Sequence, residues 1–131
     1  MSKYIVFKEI VFKDRELLLA ALADIGYARI EEGEALPLYG YRGDRKTETA
    51  QIAVRRAHLG FASNDLGFAR IDAGYVPIIS EYDRGALRGG RLLPELRAAY
   101  AERVVERVRN RLRGSARRVT EGSVTKIRVR F

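Results

Sequence analysis

A chain of 131 residues carries 25 lysines and arginines against 17 acids, a formal charge of +8, with a single histidine and no cysteine. That length suits one domain spanning 1–131 that buries roughly two-thirds of the surface its unfolded chain exposes. The missing cysteines exclude disulfides and thiolate metal sites, and the lone His58 excludes a histidine metal cluster. Charges at Lys3, Lys8 and Glu9 break what would be the apolar part of a leader, and no run of about 18 apolar residues occurs. The expectation is therefore a cytoplasmic protein with no membrane partner, no metal and no cofactor.

In chain order, Tyr4 to Phe12 is β-branched and aromatic on both alternating faces, which predicts a central strand covered on both sides. Asp14 is placed to cap a helix over about Arg15 to Ile25, with Leu18, Ala21, Leu22 and Ile25 at helical spacing and Gly26 as its stop. Ala28 to Glu32 reads as a short strand, Gly33 to Pro37 as a break, and Leu38 to Tyr41 as a second extended piece before a turn at Arg42-Gly43-Asp44. Glu48 to Arg56 alternates as a half-buried strand.

Three short extended pieces follow, His58 to Ala62, Leu66 to Ile71 and Tyr75 to Glu81, separated by Ser63-Asn64-Asp65 and Asp72-Ala73-Gly74. Pro77 lacks a ladder donor, which places the last piece at an edge or a bulge. Asp83 to Gly90 reads as a connection, Pro94 opens a long helix to about Arg113 closed by Gly114, and Ser123 to Phe131 alternates as a final strand. The order is β-α-β(several)-α-β. It predicts an α+β two-layer sandwich, mostly antiparallel, with two helices on one face, both end strands in one sheet and a ferredoxin-like relationship.

The opening strand, the helix end Ile25-Gly26-Tyr27, Gly40-Tyr41-Arg42-Gly43, Asp65-Leu66-Gly67-Phe68, Gly74-Tyr75, the region of Tyr82 and the basic-aromatic closing strand occur here in a fixed order. Through that order the chain resembles an uncharacterised family of short proteins found in cyanobacteria, algal chloroplast genomes and other bacteria, a chloroplast hypothetical open-reading-frame family. Where that family has tryptophans after the hairpin, this chain has Glu81-Tyr82. The resemblance implies the α+β layout and association with AAA-type ATPase or other multi-component systems. It implies no catalytic residues.

The charge is segregated: residues 84 to 118 hold eleven arginines against Glu95, Glu102 and Glu106, which accounts for the whole excess. On the long helix Leu92, Leu96, Tyr100, Val104, Val108 and Leu112 form a core-facing stripe, and Arg103, Arg107 and Arg111 form an i,i+4 row beside it. With Arg84, Arg88 and Arg91 before the row and Arg117 and Arg118 after it, these residues make a candidate anion-binding ridge. The competing reading is that their stems cover the core edge while their heads stay in water.

Phe61, Phe68 and Tyr75 read as core and cross-strand partners, whereas Tyr39, Tyr41 and Tyr82 are left open. Glu31 and Glu32, adjacent on a strand, point to opposite faces and cannot act as a carboxylate pair. Gly85 to Arg91 lacks the spacing of a phosphate-cradling loop. The leading expectation is a non-enzymatic binding or adaptor subunit of a larger assembly that contacts an acidic protein partner through the arginines. The alternative is direct nucleic-acid binding by the same ridge. An enzyme using His58 as general base is the third reading, and a homo-oligomer covering an edge at Pro77 is a further expectation.

Overall fold

A computed structural model describes residues 3–121 of the protein, with side chains from residue 3 to residue 114. The described chain is an α+β structure: a five-stranded antiparallel sheet with helices packed on one face. Its strands are β1 (Tyr4–Val6), β2 (Glu31–Tyr39), β3 (Arg45–Val54), β4 (Leu66–Ile71) and β5 (Gly74–Ser80). Its helices are α1 (Arg15–Asp24), α2 (Glu81–Ala86) and α3 (Leu92–Glu121). The spatial order is β1-β5-β4-β3-β2, so four consecutive strands form a meander and the first strand returns beside the last. The ferredoxin-like relationship is not seen among the described residues, and the strand expected over Ser123–Phe131 lies outside them.

Alternation splits the sheet into two faces. Ile52, Val54, Leu66, Phe68, Tyr75 and Ile79 meet Leu18, Ala21 and Leu22 of α1 and Leu92 and Leu96 of α3 in the main core. A smaller cluster of Leu38, Ala50, Ala53 and Ile78 lies on the other face, with Tyr4 and Leu36 packed at its margin. Side chains from both edge strands, β1 and β2, thus reach one cluster, so the sheet curls around it.

Helix α1 forms as its local sequence dictates. The Asp14 carboxylate accepts from Leu17 N at 3.0 Å, and Gly26 closes the helix at φ +104°, with Tyr27 N donating to Leu22 O at 2.8 Å. Phe12 sits edge-on to both Phe68, at 6.0 Å between centroids, and Tyr100, at 5.2 Å, joining sheet to α3.

The expected strand from Tyr4 to Phe12 proves to be an edge strand of three residues, and the reason lies across the sheet in Pro77. Phe7 N donates to Pro77 O at 2.9 Å, so the proline's ring nitrogen also faces β1 and has no hydrogen to return. The Phe7 carbonyl is instead taken by Ile10 N at 3.1 Å, the chain loops out, and it rejoins at Phe12 through two 2.8 Å bonds with Tyr75. Pro77 therefore marks a break in pairing, and β5, placed between β1 and β4, is not itself an edge.

Other boundaries also move. The expected break at Gly33 to Pro37 is a bulged part of β2, where Gln51 bridges the irregularity by donating to Glu34 O at 2.6 Å and accepting from Arg70 N at 2.7 Å. His58 to Ala62 is not extended: a 3-10 turn covers Arg56–His58 and a tight turn follows. The connection at Asp83 to Gly90 contains α2, capped by Ser80 Oγ accepting from Asp83 N at 3.1 Å, then a left-handed reversal at Arg88, Gly89 and Gly90. Helix α3 starts at Leu92, with Pro94 in the first turn where its missing N–H is not needed, and passes through Gly114, which takes no left-handed cap conformation.

Gly74 turns β4 into β5 at φ +144°, and a Cβ there would lie 2.5 Å from Phe12 O. Gly74→Ala is expected to destabilise the fold by roughly 2 kcal/mol in urea unfolding, through strain and a backbone clash. An unchanged midpoint would show that the Phe12 rejoining is not closely packed.

Candidate functional site

Three connections meet: Gly40 to Asp44, Arg55 to Asp65, and Ser80 to Asp83, the first coming from the opposite end of β3 to bond with the second through Tyr41. They are held by a buried polar cluster, Ser63, Asn64, Asp65, Ser80 and Asp83. Asn64 is its hub. Its backbone N donates to Asp83 Oδ2 at 2.9 Å, its Nδ2 donates to Ser80 Oγ at 2.9 Å, and its Oδ1 accepts from Tyr41 N at 3.0 Å.

Asp65 does the same for the strands. Its carboxylate accepts from Tyr39 N at 2.9 Å, Arg56 N at 2.7 Å and Arg55 Nη1 at 2.8 Å, and its carbonyl accepts from the Tyr4 hydroxyl at 2.7 Å. Burial together with nearby Asp65 pushes the Tyr4 hydroxyl well above the ordinary tyrosine range, keeping it a donor. Arg55 also binds Glu31 at 2.6 Å, and this hydrogen bond is the main reason its guanidinium is held even more firmly charged and Glu31 is lowered.

Asp83 is the exception. It is 1% exposed, and its Oδ1 is buried without a hydrogen-bond partner among the described residues. Burial raises its carboxyl above the ordinary carboxylate range, against hydrogen bonds from Asn64 and the neighbouring serines that favour the charge.

This tied framework displays aromatic rings. Phe61, expected in the core, is wholly exposed at a turn tip, followed by Ala62 at φ +68°, a left-handed conformation that costs a non-glycine residue about 1 kcal/mol or more. Tyr41 and Tyr82 are also exposed, and Arg42 lies over Tyr41 at 5.3 Å. Phe68 and Tyr75 are buried as expected. The turn at Gly40-Tyr41-Arg42-Gly43 is present, with Gly43 N donating to Gly40 O at 2.8 Å. His58 is exposed, and among the described residues it has no hydrogen bond to a carboxylate that would orient it as a base. Glu31 and Glu32 diverge to Arg55 and Arg15 respectively. Among the described residues no cluster of three or more metal-ligating side chains of the His, Cys, Asp or Glu type occurs.

The arginines of the expected ridge are largely spent inside the chain. Arg103 makes a two-pronged bond to Asp24 at 2.7 and 2.6 Å, and Arg107 binds Asp14 at 2.8 Å, so the row on α3 grips both ends of α1. These hydrogen bonds lower the carboxyls of Asp24 and Asp14. Asp24 lies at the negative end of α1, where an arginine offsets the unfavourable dipole.

Arg88 binds Glu95, donates to Ile25 O at 3.0 Å and lies 5.6 Å over the Tyr27 ring, while Arg91 contacts Glu95 at 3.4 Å. Arg84 stands 5.3 Å over the Phe7 ring, and neither it nor the exposed Arg111 has a carboxylate partner among the described residues. Arg117 and Arg118 lie within α3, their side chains outside the described set. The polar hub and the exposed Phe61 are the features the sequence reading missed. Their one visible signal is Ser80-Glu81-Tyr82-Asp83, a helix cap followed by acids in the first turn.

Asn64→Ala leaves Tyr41 N and its neighbours unpaired, and a loss of roughly 2–3 kcal/mol in urea unfolding is expected. Asp83 carries a raised pKa in the folded state, so its charge costs stability at neutral pH and the cost disappears as pH falls through that pKa. Asp14, Asp24 and Glu31 act in the opposite sense: their contribution is present above the ordinary carboxylate range and is lost as pH falls through their lowered values. Asp83→Asn should therefore gain on the wild type near neutrality, with the two stabilities converging as the pH drops; parallel pH profiles would contradict this. Compared with known proteins, the chain matches no family model, no curated protein and no solved structure.

Proposed function

We propose that the protein is a non-enzymatic binding or adaptor subunit of a larger assembly, contacting an acidic protein partner through the part of α3 that extends beyond α1. The observation that carries this reading is the state of Arg109, Arg111 and Arg113. All three are exposed and none meets a carboxylate among the described residues, Arg113 donating only to Asn110 at 3.4 Å, unlike Arg103 and Arg107 one turn earlier. Beside them Val104 and Val105 are 38% and 47% exposed, so the apolar stripe of α3 continues past the core that covers its start.

Arg109 and Arg113 lie on one side of α3 in line with Val105, and Arg111 lies on the other side in line with Val104. Two such strips of uncovered valine and guanidinium suit a partner surface that wraps the helix with an apolar groove and an acidic rim. Arginine is favoured for such contacts by its planar fork. The family resemblance supports the same reading, since it implies work within multi-component systems such as those of AAA-type ATPases. The partly exposed Arg103 and Arg107 hold the helix to both ends of α1, so its outer half is presented in a set direction.

The test is co-purification from the native host at low and high salt, comparing the wild type with a triple variant, Arg109→Glu, Arg111→Glu and Arg113→Glu. An acidic protein present in fixed ratio with the wild type, lost at high salt and lost from the triple variant at unchanged thermal stability, is the expected result. Retention of the same partner by the triple variant overturns the reading. Nucleic acid carried by the wild type in place of protein, with affinity falling steeply as salt rises, transfers the arginines to phosphate binding.

A further inference from the structure

The loop that leaves the sheet after Phe7 does not close against α3. Between them lies an open groove of about 800 Å³, the size of a site for one small molecule. Its floor is apolar: Phe7 and Ile79 from the sheet, Ile10 from the loop, and Leu92 and Leu93 from the start of α3. Two arginines, Arg84 and Arg97, stand on its rim with one carboxylate, Glu9.

We propose that this groove binds a small amphiphilic monoanion, a ligand with a compact apolar group and a single carboxylate-type head. The apolar floor sets the first requirement. Ile79 and Leu92 are nearly fully buried beneath it, while Ile10 and Leu93 are only partly covered, so an apolar group seated there removes further hydrocarbon surface from water.

The charge on the rim sets the second. Arg84 and Arg97 make no hydrogen bond or ion pair within the described residues, whereas their neighbours Arg88 and Arg91 are both committed to Glu95. The Arg84 guanidinium carbon stands 5.3 Å from the centre of the Phe7 ring, a contact that takes up none of its five N–H donors in a hydrogen bond among the described residues. Two guanidiniums against Glu9 leave one positive charge on the rim, which matches a monoanion better than a multiply charged phosphate ester. The first turn of α3 adds partial charge of the same sign but is secondary to the arginines. This site is separate from the outer half of α3 and does not depend on a partner binding there.

The experiment is titration calorimetry of the full chain with octanoate and, as uncharged control, octan-1-ol. Octanoate is expected to saturate one site, with octan-1-ol weaker by about tenfold for want of charge-assisted hydrogen bonds. Arg84→Met and Arg97→Met keep an apolar stem and should each weaken octanoate by about five- to tenfold while leaving octan-1-ol unchanged. Ala98→Glu, on the exposed helical wall, is a second variant that keeps the fold and should abolish octanoate binding by charge. Arg109→Met, remote from the groove, should change nothing. The proposal is overturned by absence of saturable octanoate binding, by equal affinity for the alcohol, or by an equal loss in Arg109→Met, which would mean that general basicity and not this groove holds the anion.

Discussion

Placing the carboxylate of Asp65 in the interior obliges the chain around it to supply every compensation that water would have given. An uncompensated buried charge costs several kcal/mol or shifts its protonation. Here two backbone donors and the Arg55 guanidinium surround it, and each comes from a different position: Tyr39 at the end of β2, Arg56 after β3, and Arg55 between β3 and that turn. The Tyr4 hydroxyl on the same residue's carbonyl adds β1. One side chain thus fixes where the strands end relative to one another, and the turn that carries Phe61 has to start and finish at set points. The orphaned oxygen of Asp83 sits within the same cluster and shows the opposite balance, a buried carboxylate only half satisfied.

Two kinds of cohesion divide the molecule. On the helix side, apolar burial joins α1 and α3 to the sheet, and the ion pairs at the two ends of α1 set the angle at which α3 crosses it. These pairs are partly exposed, so they orient more than they stabilise. At the loop end, hydrogen bonds in a dry setting do the holding, and a network of that kind is specific because each member has few alternatives. The exposed aromatic residues are mounted on the second type of support and the free arginines on the first.

The parts of this arrangement that were legible in the sequence are those decided locally. Asp14, the helical spacing of Leu18, Ala21 and Leu22, and Gly26 define α1 within a dozen residues, and the structure follows them. The turn at Gly40 to Gly43 is of the same kind, but β3, expected to be half-buried, is covered on both faces, with Ile52 and Val54 in the main core and Ala50 beside Ala53 in the smaller cluster. What escaped depends on distant partners. Asp24 and Asp14 lie 79 and 93 residues from the arginines they bind, so a charge count over Arg84 to Arg118 could not tell spent guanidiniums from free ones. Phe61 has the composition of a core residue, and only the neighbouring buried Ser63, Asn64 and Asp65 decide that it points outward. Gly85 inside α2, with Gly89 and Gly90 after it, masked that capped helix.

The absent hydrogen on Pro77 reaches further than the edge it interrupts. Because β1 cannot continue its ladder past Phe7, the N-terminal edge is attached by few backbone bonds, and such segments open at lower free energy than the strands behind them. Amide hydrogens of Ile5 and Phe7 are therefore expected to exchange with solvent through a local opening that leaves β3, β4 and β5 intact. Phe7 forms part of the groove floor as well as the end of this ladder, so whatever occupies the groove raises the free energy of that opening. Occupancy and edge protection are linked through a single ring.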